Sequence, residues 1–112
     1  MAGRREKLRR VGIIPEYRGF TPDGLASGDA IDMTVDELEV LRLCDLEGLN
    51  QEAVAQQMGI ARATVAAISS RAHRKVANAL VNGRAIVIEG GNIAYSPITT
   101  TTAAWPAKEV DT

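Results

Sequence analysis

The sequence predicts a mainly α-helical domain of three helices, the last two joined as a helix-turn-helix, with a small β-hairpin or short β element. Three observations carry this. Thr34-Val35-Asp36-Glu37 is a capping box, the signature of a helix start. The spacing Ala55-x3-Gly59-x5-Val65-x2-Ile68 sets a turn glycine between two stretches of helical periodicity. Ala85–Glu89 is a β-branched run followed by Gly90-Gly91, a strand and then a two-residue turn signal. A length of 112 residues with 46% hydrophobic content suits one domain with a core.

The elements follow in order. Residues 1–10 read as a basic N-terminal arm. Val11–Ile14 is a short apolar run that suits a strand. Pro15, Gly19, Pro22, Gly24 and Gly28 make residues 15–32 read as loop. The first helix is predicted over Val35–Glu47, capped by Thr34 and ended by Gly48. Asp36 and Glu37 suit the positive end of its dipole. Val35, Leu38, Leu41, Leu46 and Leu49 form its apolar stripe. Asn50 caps a short second helix, Gln51–Met58, which Gly59 stops. A third helix begins near Arg62 with Val65, Ile68, Ala72, Val76 and Leu80 as its apolar face. Asn82-Gly83 ends it. Ala85–Glu89 and Asn92–Tyr95 then read as a hairpin, and residues 96–112 as a disordered tail. The expected organisation is therefore an arm at 1–10, a domain at 11–95 and a tail at 96–112.

Composition excludes several classes. Aromatics are 4%, namely Tyr17, Phe20, Tyr95 and Trp105, too few for a module that stacks single-stranded RNA bases. A single cysteine, Cys44, forbids an internal disulfide and multi-cysteine zinc sites, and a single histidine, His73, forbids histidine-pair metal motifs. The expected settings are half-buried for Cys44 and solvated for His73. No apolar run approaches the ~20 residues of a membrane span. The basic start is followed only by Val11–Ile14 and Pro15, short of a signal peptide, so the expectation is cytoplasmic. No activated nucleophile, phosphate loop or metal cluster stands out. The expectation is a protein that is not an enzyme and uses no cofactor.

The net charge of −1 conceals a segregation. Residues 1–10 carry +4, residues 11–50 carry −7, residues 51–84 carry +4 and residues 85–112 carry −2. Local sign governs binding to a polyanion more than the total does. The second basic block falls on the third helix, the element that a helix-turn-helix lays in the major groove. The expected partner is double-stranded DNA, and the expected role transcriptional regulation. The expected contacts are Arg62, Thr64, Ser70, Arg71, Arg74 and Lys75, with Arg4, Arg5, Arg9 and Arg10 of the arm assisting. One recognition helix covers few base pairs, so a homodimer is expected, with the hairpin as its contact or wing. The alternative is a module that docks this motif on a transcription or assembly partner.

The residues also resemble a known family. The run Met33–Ile60, which includes Asp45-Leu46-Glu47-Gly48-Leu49, is similar to small bacterial and archaeal proteins grouped as domain of unknown function 134 and regarded as DNA-binding. Arg71–Gly91, which includes Ala79-Leu80-Val81-Asn82-Gly83, resembles that family's third helix and final strand, and Arg9-Arg10-Val11 its basic element. The resemblance covers about residues 4–92. It implies a helix-turn-helix like that of sigma-70 region 4 and a role in transcription. The third helix departs from the family's usual Ser-Arg-Gln-Thr-Phe-Gly-Arg start, reading Ala61-Arg62-Ala63-Thr64-Val65-Ala66-Ala67. Alanine in place of the serine cap should cost about 1 kcal/mol. Ala63 and Ala67 offer no hydrogen bond, so the site read is either different or less specific.

Overall fold

The computed structural model of the chain describes residues 8–97. Their order is β1 (Arg9–Val11), β2 (Gly19–Phe20), β3 (Ile31–Met33), α1 (Val35–Leu41), a π turn (Arg42–Leu46), α2 (Gln51–Met58), α3 (Arg62–Asn82), β4 (Ile86–Ile88) and β5 (Ile93–Tyr95). Three helices thus carry the fold, and short strands frame them.

Local signals set the helix ends. The capping box closes as expected: the Glu37 N–H donates to Thr34 Oγ1 at 3.4 Å, and the Thr34 N–H donates to Glu37 Oε1 at 2.9 Å. Asn50 Oδ1 accepts from the Ala53 N–H at 2.9 Å. Ala61 sits at the N-cap of α3 with extended backbone and makes no side-chain cap. The first four N–H groups of a helix have no intrahelical partner, and a serine cap would satisfy one.

The first helix differs from its expected form. The Glu47 N–H donates to the Arg42 carbonyl at 2.9 Å, a bond that skips one residue more than an α turn does. An extra residue in one turn rotates the following side chains by about 100°. Leu46 therefore leaves the stripe and is 63% exposed, whereas Val40 and Leu43 are buried at 0% and 2%. They join Val54, Ala55, Met58, Val65 and Ile68 in a core shared by all three helices. Leu46, assigned to the apolar stripe by spacing, lines an open groove of about 390 Å³ with Ile13 and the outer sides of Leu38 and Leu41. The apolar face of α3 is likewise corrected at its end. Ala79 is buried, and Leu80 is 78% exposed.

A second core lies between helices and strands: Val11, Met33, Val35 and Ile88, with Leu38, Leu41, Val76, Ile86 and Ile93 packed against them. The strands correct three expectations. Residues 15–32 hold β2 and the start of β3 as well as loop. Arg9 and Arg10 belong to β1, so the ordered domain begins before residue 11. The segments 85–89 and 92–95 form no hairpin. β4 pairs antiparallel with β2 on one side and parallel with β3 on the other, so neither of its edges is left for β5. β5 pairs instead with β1, in parallel, with Arg10 opposite Ala94. The Ser96 N–H donates to the Val11 carbonyl at 2.9 Å and extends this pairing into the segment expected to be tail. The remainder of that segment, residues 98–112, lies outside the described residues, as do Arg4 and Arg5.

Gly90-Gly91 still turns the chain, but against α1. The Gly90 carbonyl accepts from the Val35 N–H at 3.0 Å. Gly91 has φ of 109°, and a Cβ there would lie 2.6 Å from Asp36 Oδ1. Both the dihedral and the approach require glycine.

Candidate nucleic-acid interface

α2 and α3 meet through the turn Gly59-Ile60-Ala61. Gly59 adopts φ of 72°, in the left-handed region. Its N–H and that of Ile60 both donate to the Ala55 carbonyl, at 2.9 and 3.0 Å. Ala55 is buried where a larger side chain would separate the helices, and Ile60 plugs the turn against the core. Val65 and Ile68 face inward at 0% and 1% exposure. The turn glycine expected from the Ala55–Ile68 spacing lies between the two helices. A shallow cleft of about 450 Å³ opens at this turn, lined by Glu52, Ala55, Gln56, Gly59, Ile60 and Arg62.

At 3.6 residues per turn, the outward face of α3 carries Ala63, Ala66, Ala67, Ser70, Arg74 and Ala77, all exposed. Arg62 begins the helix, is exposed and has no intramolecular partner among the described residues. Arg74 shares both properties. Thr64 is half-buried.

The other predicted contacts hold the protein together. Glu37, 2% exposed, is the hub. Lys75 Nζ donates to its Oε1 at 2.8 Å and also to the Asp32 carbonyl at 2.7 Å. Arg71 Nε donates to its Oε2 at 3.1 Å. Burial pushes the Glu37 carboxyl up, but hydrogen bonds from Lys75, the Thr34 backbone and Arg71 outweigh it. The net shift is below the ordinary 4.5. Arg9 Nη1 donates to the buried Asp36 at 2.8 Å. Arg10 Nε and Nη2 donate to the Gln57 and Gln56 carbonyls at 3.0 and 2.9 Å.

Two further groups complete this scaffold. Buried Glu39 accepts from both Arg42 Nε and Nη2, at 3.0 and 2.8 Å, and from the Gly12 N–H at 2.9 Å. The π geometry brings residues five apart onto one face, and Arg42 Nη1 reaches Glu47 at 3.3 Å. His73 Nε2 meets Asp45 Oδ2 at 2.7 Å and ties α3 to the π turn, both side chains remaining about half exposed. Cys44 is half-buried. Burial and the charge of Asp45 push its thiol up, which disfavours the reactive thiolate.

Asp36, Glu37, Glu39 and Arg42 were not singled out as a buried ionic layer from the sequence. A signal was present, since the −7 and +4 blocks are complementary. They neutralise each other across α1, so part of the basic block on α3 faces inward.

The comparisons establish the family. The model of the family described as "Protein of unknown function DUF134" matches residues 1–96, and the chain belongs to that family. It is 50% identical over 95 residues to a UPF0251 protein of Desulforudis audaxviator, covering 83% of this chain and 62% of that one. It is 48% identical over 89 residues to a UPF0251 protein of Caldicellulosiruptor bescii, covering 80% and 63%. It is 48% identical over 92 residues to a UPF0251 protein of Prosthecochloris aestuarii, covering 80% and 59%. The chain thus spans about three fifths of the length of these relatives. No solved structure matches the chain. Among the described residues no helix is long and apolar enough to cross a membrane.

Proposed function

We propose that α2 and α3 form a helix-turn-helix that binds double-stranded DNA, and that the protein regulates transcription. The observation that carries this reading is the outward face of α3. It is open, it begins at a tight glycine turn, and its two cations Arg62 and Arg74 have no intramolecular partner among the described residues. α3 would lie in the major groove with its first turn toward the base edges. Arg62 suits a guanine edge or a phosphate, and Arg74 a phosphate. Ser70 suits a phosphate, and Ala63 and Ala67 suit thymine methyl groups. Arg9, Arg71 and Lys75 serve the protein's own carboxylates. Because one helix reads few base pairs, the binding unit is a homodimer whose recognition helices sit about 34 Å apart.

A second reading rests on the same face. Ala63, Ala66, Ala67 and Ala77 are small and neutral, which suits packing against a helix of a transcription partner. Duplex titration over a salt series separates the two. DNA binding requires affinity that falls with salt, and R62A should flatten the slope of log K against log salt by about 1. R62E with R74E should abolish DNA binding but spare an apolar docking face. No binding at ~50 mM salt, or binding indifferent to salt, overturns the DNA reading.

A further inference from the structure

β1 delivers its consecutive arginines to opposite sides, as strand geometry dictates. Arg9 goes to Asp36 at the start of α1, and Arg10 to the end of α2. The last carbonyls of a helix have no intrahelical donors. Here the turn amides of Gly59 and Ile60 both go to Ala55, so the Gln56 and Gln57 carbonyls are left to another donor. The Arg10 guanidinium supplies two N–H groups at once, which a fork can do and an ammonium cannot match. It also lies against Gly59: a Cβ there would sit 2.9 Å from Arg10 Nη1 and 3.3 Å from Cζ. Glycine at residue 59 thus serves two ends, the left-handed dihedral and the seat of this side chain.

We propose that Arg10 is a positioning residue for the α2–α3 turn, fixing how the first turn of α3 is presented rather than contacting a phosphate. The proposal deepens the helix-turn-helix reading and rests on it for its effect on DNA, though the local tether can be read without DNA. The guanidinium joins the β1–β5 pair to the C-terminus of α2, so the framing strands set the pose of α3. A cation at this helix end is also favoured by the helix dipole.

The test compares the full chain with Arg10→Ala and Arg10→Lys. Duplex DNA is titrated over a salt series, and amide hydrogen exchange is followed at Gly59 and Ile60. Positioning predicts that both variants bind about tenfold more weakly, that the lysine does not rescue, and that the salt slope is unchanged. It also predicts faster exchange at Gly59 and Ile60 in both, with Val40 and Leu43 unaffected. A phosphate ligand behaves oppositely: the lysine binds like the parent and the alanine flattens the slope by about 1. That result overturns the proposal. If the parent chain binds no duplex, the DNA reading fails separately, and the exchange data alone decide. Unchanged exchange at Gly59 and Ile60 then overturns the tether.

Discussion

Removing the Glu37 carboxylate is the sharpest test of how the charge segregation is used. Glu37→Ala deletes three acceptor contacts: the Thr34 N–H at 2.9 Å, Lys75 Nζ at 2.8 Å and Arg71 Nε at 3.1 Å. The Thr34 bond is part of a cap and is worth about 1 kcal/mol. The Lys75 and Arg71 side chains are 29% and 53% exposed, so water hydrates them once released. Each pair is accordingly discounted from the buried-charge range to about 0.5–1 kcal/mol. The expected loss is about 2–3 kcal/mol. For a domain of this size that is a drop in Tm of roughly 10–20 °C. Glu37→Gln keeps the capping box, which accepts glutamine, and loses the ion pairs, so it should cost about 1–2 kcal/mol. Urea denaturation followed by far-UV circular dichroism measures both, provided the m-value is unchanged. A Glu37→Ala loss below about 0.5 kcal/mol, the scatter of ordinary surface changes, would refute the hub assignment.

Three further outcomes are expected. Leu43→Ala should cost about 2–5 kcal/mol, whereas Leu46→Ala should stay within about 0.5 kcal/mol. Equal losses in denaturation would remove the case for the one-residue shift at the π turn. Ala61→Ser should stabilise the protein by about 0.5–2 kcal/mol by capping α3, seen as a raised denaturation midpoint. The Glu37 pKa is lower in the folded chain than its ordinary 4.5. Its contribution is therefore full above about 4.5 and is lost as pH falls through the folded value. An acid titration of stability should fall less steeply below pH 4.5 in Glu37→Gln than in the parent.

The helix boundaries were legible because their causes are local. Asn50 and Gly59 bracket α2, and Gly83 ends α3, each within a turn of the residues it acts on. The π turn was not legible. Leu46 continues the spacing of the stripe that Leu38 and Leu41 begin, but only those two pack against a core, and tertiary packing adds Val40 and Leu43, which the stripe omits. The strands escaped for a related reason. Two or three residues carry little periodicity, and their partners lie far along the chain. Gly90-Gly91 looked like a hairpin turn because a sequence shows the turn but not that both edges of β4 are already taken. At the candidate interface, spacing identified the α2–α3 junction and the outward face of α3. It did not show the intramolecular bonds of Arg9, Arg10, Arg71 and Lys75, whose acceptors sit 27–47 residues away.

The parallel pairing of β1 with β5 has a mechanical consequence. The chain enters β1 beside Asn92 and leaves β5 beside Val11, at opposite ends of the same short ladder. Tension between segments attached on either side of the domain therefore acts along the strands. Its backbone hydrogen bonds are strained together in shear, rather than opened one after another as in an unzipping hairpin. The same force reaches Arg9 and Arg10, and through them the start of α1 and the end of α2.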